Sequence, residues 1–283
     1  MSRKLFFVLL EFILLSSLLY IGSSPVVEST NGSYVWNLNT DLSYATIQEA
    51  INADETLDGH KLGLPLSVFY EHVVVNKSVS LEGAQSIEHP EYVPIIDGGG
   101  TGTVVTVEAD DVSMWHIKII NGTNGIVLED TNNSTLWLLE VVDNAETGIY
   151  FHNSRNCTLK SSIMKNNLYG VYIQSSTNNT IHYNDFINNT YQVHIETING
   201  YPPNTWDDGV DRGNYWSDYE DKYPDAKEID GTGIWETPYV IYENNQDNYP
   251  IVPEFQSFLI LPLFMIATLL AVIIYRRKHS MRH

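Results

Sequence analysis

The sequence predicts an all-β chain folded as a right-handed, single-stranded parallel β-helix, and three observations carry that reading. A pattern of about 22 residues is written four times between Gly102 and Ile195. Its starts at Gly125, Gly148, Gly170 and Gln192 fall 23, 22 and 22 residues apart, with Gly102 a further 23 upstream. A period in this range marks a solenoid. The second observation is alternation inside each repeat. Ile126, Ile149, Val171 and Val193 follow the starts by one residue, and Leu128, Phe151, Ile173 and Ile195 by three. Val127, Tyr150, Tyr172 and His194 stand between them, as on a strand with one buried face. The third is a polar residue at fixed phase. Asn121, Asn144, Asn166 and Asn188 each lie four residues before a start. Stacked coils hold equivalent side chains about 4.8 Å apart, so these asparagines are expected to hydrogen-bond along the stack inside a bend.

Two further apolar columns complete the coil. Met114, Leu136, Leu159 and Ile181 align, and so do Ile119, Val142, Met164 and Phe186, giving about three short strands per turn. The connections hold Asn132-Asn133, Asn156 and Asn178-Asn179, residues that tolerate a left-handed backbone. A right-handed winding follows from the usual chirality of parallel connections. A helical array would need 3.6-residue periodicity, which the segment does not show.

The 283 residues carry a net charge of -20 and one cysteine. Cys157 has no internal partner, so stacking rather than cross-linking must hold the fold. The ends read as processing and anchoring segments. Arg3-Lys4, the apolar run Leu5 to Ile21 and Gly22-Ser23-Ser24 have the layout of a secretory signal over 1–24. The uncharged run over 258–275, followed by Arg276-Arg277-Lys278 in a basic tail over 276–283, is long enough to span a bilayer with the tail inside. The body is then extracytoplasmic and held at the cell surface. Its acidity excludes nucleic acid as a partner and suits cations, neutral glycans or plain solubility.

Between the ends, 25–40 reads as a polar linker. Residues 41–101 hold a capping helix and irregular first coils. Ile47, Ala50 and Ile51 share one face of that helix, with Thr46 or Ser43 as its N-cap. Such a cap covers the edge that an open first coil would expose. Val73, Val75, Val79 and Leu81 alternate as an early coil. Regular repeats occupy 102–196. Residues 197–252, rich in aromatics and Asp, form a closing region in which Trp206, Tyr215, Trp216 and Tyr219 are expected to plug the end.

Several segments carry a resemblance. They are the coils, Thr46-Ile-Gln-Glu-Ala-Ile51, Glu71-His-Val-Val-Val-Asn-Lys-Ser78, Gly213-Asn-Tyr-Trp-Ser-Asp-Tyr219 and Thr237-Pro-Tyr239. Over roughly 41–252 the chain resembles the NosD-type β-helix family, exported right-handed β-helix proteins common in archaea and named for periplasmic copper binding. The resemblance implies export and, through the family name, a copper accessory role. Val252-Pro-Glu-Phe255, running into a linker over 253–257, is similar to PEF-type archaeal sorting signals, which implies that a sortase-like enzyme replaces the anchor.

Candidate sites fall into four classes. Trp115, Trp137, Lys160 and His182 share one outward phase, and Tyr150, Tyr172 and His194 another. Flat aromatic rows pack against the apolar faces of sugar rings, although tyrosine is also simply a good strand residue. Trp115, Trp137, Tyr150, Tyr172, His182 and His194 are therefore the glycan-binding candidates, with a cell-surface or extracellular polysaccharide as partner. Asp207, Asp208, Asp211, Asp218 and Asp221 crowd a region that could supply oxygen ligands to calcium, or be a solvated acidic turn. Copper would want imidazole, thioether or thiolate donors, and His152, His182 and His194 fall at different phases. A polysaccharide lyase or uronan epimerase would need a base and a neutralising cation near the sugar; the coils offer Lys118, Arg155, Lys160 and Lys165. Asn31, Asn76, Asn132, Asn133, Asn156 and Asn178 are glycosylation candidates. Asn121 and Asn188 are also sequons, but the inner-ladder reading would leave them unmodified. The reading that unites most of this is a non-enzymatic surface protein that binds polysaccharide or has a structural envelope role.

Overall fold

The computed structural model describes residues 34–86, 89, 91–196, 203–242 and 244–252. The leader, Asn31, residues 253–255 of the sorting-like motif and the apolar run over 258–275 lie outside them. Among the described residues, no helix is long and apolar enough to cross a membrane.

Three sheets wind into a parallel β-solenoid of the right-handed type with about 6 turns. The first stacks Lys61–Leu64, Ser80–Gly83, Ser113–Trp115, Thr135–Trp137, Thr158–Lys160 and Thr180–His182 in parallel. Val35–Asn37 and Leu42–Tyr44 extend its lower edge antiparallel. The second runs from Val68–Tyr70 through Ile95–Asp97, Lys118–Ile120, Glu140–Val142, Ile163–Lys165 and Asp185–Ile187 to Tyr215–Trp216. The third holds the longest strands: Thr103–Val107, Asn124–Glu129, Thr147–His152, Tyr169–Gln174 and Tyr191–Glu196, above Val73–Val75. Their inward residues, including Ile126, Leu128, Ile149, Phe151, Val171, Leu136, Leu159 and Met164, form one buried core.

The lower end is closed by α1 (Ile47–Asn52), which buries Ile47, Ala50 and Ile51. The Thr46 side chain accepts from Glu49 N–H, and the Glu71 carboxylate accepts from the N–H groups of Ile47 and Gln48 at 2.9 and 3.1 Å. Two otherwise orphaned helix donors are thereby paired with a favourable charge.

Two alignments differ from the sequence reading, each because a turn changes length between coils: the turn from Val107 to Ser113 is one residue shorter than that from Leu128 to Thr135, and a later corner is one residue longer. Strand pairing places Ile126 beside Val105, so Val104 rather than Gly102 precedes Gly125 in the stack. In the second sheet the inward column is Ile119, Val141, Met164 and Phe186, not Val142. The corner from Asn144 to Gly148 holds one residue more than the corner from Gly122 to Gly125. Counting backward from each glycine therefore lands on different sides of the corner.

The same offset corrects the asparagine column. Asn121, Asn166 and Asn188 are exposed at the corner with positive φ (56°, 57° and 52°), and Asp143, not Asn144, is their equivalent. The buried ladder is Asn144, Asn167 and Asn189. Asn144 Oδ1 accepts from Gly122 N–H, and Asn167 Oδ1 accepts from both the backbone N–H and Nδ2 of Asn144. Asn189 Oδ1 does the same for Asn167. Each pair at the corner divides the work: the first residue takes the left-handed bend, the second points in and satisfies the backbone that the bend frees. This also explains the glycines. A Cβ on Gly148 would lie 2.6 Å from Gly170 O and 2.9 Å from Asn167 Nδ2, and one on Gly170 would meet Gln192 O and Asn189 Nδ2 at the same distances. At Gln192 a side chain is accommodated: its Oε1 accepts from Asn189 Nδ2, and its Nε2 donates to Ser217.

Two more inner ladders climb the other corners. Cys157 N–H, Asn179 and Asn204 follow one another on one, and Leu139 N–H, Ser162, Asn184 and Asn214 on the second. Each needs a terminal acceptor, and the closing region supplies it. Asn245 Oδ1 accepts from Asn204 N–H, and Asp247 Oδ2 accepts from Asn214 N–H and Trp216 Nε1. Trp216 itself lies between the rings of Phe186 (4.3 Å) and Tyr239 (4.1 Å), and Trp206 and Tyr219 are also buried, so three of the four residues expected to plug this end do so; Tyr215 is half-buried, because it alternates with Trp216 on its strand.

Burial pushes the Asp247 carboxyl up to about 7, against the pull of donors from Asn214, Trp216 and Tyr249. An acid raised in the fold makes stability fall as pH climbs from the unfolded value near 4 through about 7. This contribution is on the order of 2–4 kcal/mol across that window. Thermal unfolding followed from pH 4 to 8 should show the melting-temperature gap between the wild type and Asp247→Asn narrowing as pH rises. A constant gap contradicts the assignment.

Leu138 bends left-handed at a corner (φ 52°) and is 40% exposed. A branched aliphatic side chain there costs about 1 kcal/mol relative to a residue that tolerates the conformation. Leu138→Asn is expected to raise the urea midpoint by a corresponding amount.

Candidate functional site

The outward face of the third sheet concentrates the chemistry. Tyr150, Tyr172 and His194 pair in successive strands, as their common phase predicts. The structure adds a second aromatic column, Tyr169 and Tyr191, at the position just before each repeat start. Tyr169 stacks on Tyr191 (5.2 Å, 20°) and meets Tyr172 edge-on (5.4 Å, 83°). Tyr150 meets Tyr172 at 5.0 Å and 76°, and His194 lies 4.7 Å from Tyr172. A polar column flanks the rings on the other side: Glu129, His152, Gln174 and Glu196. His152 Nδ1 lies 2.7 Å from Glu129 Oε1. Tyr150 donates to Gln174, whose Nε2 donates to Glu196 at 2.6 Å, and Tyr172 donates to the same carboxylate oxygen at 3.2 Å. The face is thus a rigid aromatic surface with an ordered carboxylate–amide edge.

Burial and the neighbouring glutamates raise the Tyr150 pKa; burial and the hydrogen bond to Glu196 raise that of Tyr172. Both phenols therefore stay protonated at neutral pH. They can donate hydrogen bonds and present ring faces.

Trp115, Trp137, Lys160 and His182 also form one column, but on the first sheet, apart from the tyrosines. The two indoles stack on each other at 5.1 Å and 18°, and the Lys160 ammonium lies 6.0 Å from the Trp137 ring centre. Their flat faces are turned toward one another rather than outward. The six glycan candidates accordingly divide into two separate surfaces. The remaining lysines do not join either one. Lys118 pairs with Glu140 at 3.3 Å on the second sheet, Lys165 is exposed there, and Arg155 bridges corner strands beside Asn132 and Thr177.

The acidic candidates serve the closing region. Asp207 accepts from Gly209 N–H and from Asn248 N–H and Nδ2, and Asp208 accepts from the N–H groups of Val210, Asp211 and Arg212. Asp218 accepts from Tyr239 Oη, while Asp211 and Asp221 are exposed. A polar cleft of about 360 Å³ beside Asn204, Trp206, Asp207 and Asn248 opens there. Among the sequons, Asn76, Asn133, Asn156 and Asn178 are exposed and Asn132 is half-buried. Asn121 and Asn188, expected inside, are exposed too.

Residues 95–221 match the family model described as periplasmic copper-binding protein (NosD). These coils are NosD-like. No curated protein matches the chain. Solved structures similar to it include an alginate lyase from Paenibacillus sp. str. FPU-7, at 15% identity and TM-score 0.37, over 49% of this chain and 58% of that one. A double mutant of the periplasmic alginate epimerase AlgG matches at 19% identity and TM-score 0.37, over 47% of this chain and 33% of that one. The pectin methylesterase from Aspergillus niger matches at 11% identity and TM-score 0.32, over 63% and 86%. The chain thus spans less than two thirds of the lyase and of the epimerase.

Among the described residues, the histidines named as copper donors lie apart. His152 and His194 occupy different columns of the third sheet, and His182 lies on the first. Met114 and Met164 are core residues, and burial pushes the Cys157 thiol up to about 11. Among the described residues, no three His, Cys, Asp or Glu side chains converge on a point that could hold a metal ion.

Proposed function

We propose that this chain is an exported, membrane-anchored β-helix surface protein that binds polysaccharide through the aromatic face of the third sheet. The observation that carries the reading is the contiguous patch of Tyr150, Tyr169, Tyr172, Tyr191 and His194, ordered by ring contacts and edged by hydrogen-bonding groups. Sugar rings offer apolar faces to such surfaces and hydroxyls to such edges. An extracytoplasmic site agrees with the periplasmic description of the matching family. The raised tyrosine pKa values favour binding over proton abstraction from a sugar carbon, the chemistry of the runner-up lyase or epimerase.

The test is a glycan array probed with the full chain, with and without calcium, followed by product analysis on any glycan retained. Binding without turnover is the expected result. Unsaturated or epimerised products would replace this reading with the enzymatic one.

A further inference from the structure

The four strands Asn124–Glu129, Thr147–His152, Tyr169–Gln174 and Tyr191–Glu196 contain no lysine or arginine. Their outward faces instead place two carboxylates beside the rings. Glu129 stands at one end of the polar column, held by His152. Glu196 stands at the other, exposed, and is oriented by Tyr172 and Gln174. A uronate would bring a negative charge against this pair with no lysine or arginine in these strands to neutralise it. A ligand carrying a positive charge gains twice, from the carboxylates and from the π-faces of the tyrosines. The chain's net charge of -20 acts in the same direction at longer range.

Resting on the reading of this face as a glycan-binding surface, we propose that its ligands are amine-bearing glycans, with Glu196 as the principal counter-charge. Tyr150, Tyr169 and Tyr172 seat the sugar ring. The Glu196 carboxylate, fixed by two hydrogen bonds, receives the ammonium group at the edge of the patch. The site is open to water, so the charge supplies selectivity rather than most of the affinity.

The experiment is a titration of the full chain at pH 6 with three oligosaccharides of equal length: an N-acetylglucosamine oligomer, its de-N-acetylated counterpart and an oligouronate. The amine-bearing oligomer is expected to bind about three- to tenfold more tightly than the acetylated one, the scale of one solvent-exposed ion pair. The preference should shrink in high salt. Glu196→Gln keeps a hydrogen-bond acceptor and should abolish the preference for the amine-bearing oligomer. Equal affinities for the amine-bearing and acetylated oligomers, or tighter binding of the uronate, would overturn the amine assignment and leave glycan binding standing. Binding of none of the three would overturn both.

Discussion

Asn167→Ala is expected to destabilise the protein by about 3–5 kcal/mol, whereas Asn166→Gly next to it should change stability by less than about 0.5 kcal/mol. Asn167 is buried in the corner ladder. Its Oδ1 accepts two hydrogen bonds from Asn144, and its Nδ2 donates to Val141 O and Asn189 Oδ1. Alanine leaves the Asn144 donors and the Val141 carbonyl without these partners in a space that excludes water, and each such group costs about 1–3 kcal/mol. Asn166 is exposed, with φ 57°, and its side chain reaches Asp143 at the surface. Glycine takes that backbone conformation without a steric penalty. Urea unfolding of the two variants separates the roles. Similar losses at both positions would contradict the division of each asparagine pair into a bend residue and an inward residue.

Trp216→Ala is expected to cost about 3–5 kcal/mol, the range for removing a fully buried aromatic side chain. The indole fills the upper mouth of the core between Phe186 and Tyr239, and its Nε1 donates to Asp247 at 2.9 Å. Its loss opens a cavity over the last regular coil and removes a donor from a buried carboxylate. Because each coil of a solenoid contacts only its neighbours, the damage should start at this end. Hydrogen exchange should therefore accelerate first in Thr180–His182 and Asp185–Ile187, and later in Ile95–Asp97. Trp216→Phe keeps a stacked ring but loses the donor and part of the buried indole, so it should cost less than the alanine variant, about 1–3 kcal/mol. Uniform acceleration along the stack would argue against a local closing role.

The solenoid was legible because its core repeats in linear sequence. Ile126, Ile149 and Val171 fall one step after a glycine, and a side chain between sheets has no freedom to drift from that phase. The corner asparagines were harder to place. An extra residue between Asn144 and Gly148 shows only as a spacing of 23 rather than 22, which does not say which corner holds it, yet it turns a count of four from outward to inward. The ladder terminators Asn214, Asn245 and Asp247 belong to no repeat and become visible only when the chain folds back over the end. Tyr169 and Tyr191 carried a usable signal, 22 residues apart and each directly before a repeat start. It was diluted because the two coils below hold Asn124 and Thr147 at that position. Periodicity showed that Trp115 and Tyr150 both point outward. It did not show that the indoles turn their faces toward each other while the tyrosines meet edge to face.

The most direct test of the binding surface is calorimetric titration of the glycan retained on the array into the wild type, Tyr150→Ala/Tyr172→Ala and Trp115→Ala/Trp137→Ala. The tyrosine pair should carry the binding, so its replacement is expected to weaken affinity by about tenfold or more. Replacement of the tryptophans on the first sheet should leave affinity within about twofold. Retained affinity in the tyrosine variant, with loss in the tryptophan variant, would contradict the assignment of the third sheet as the binding face.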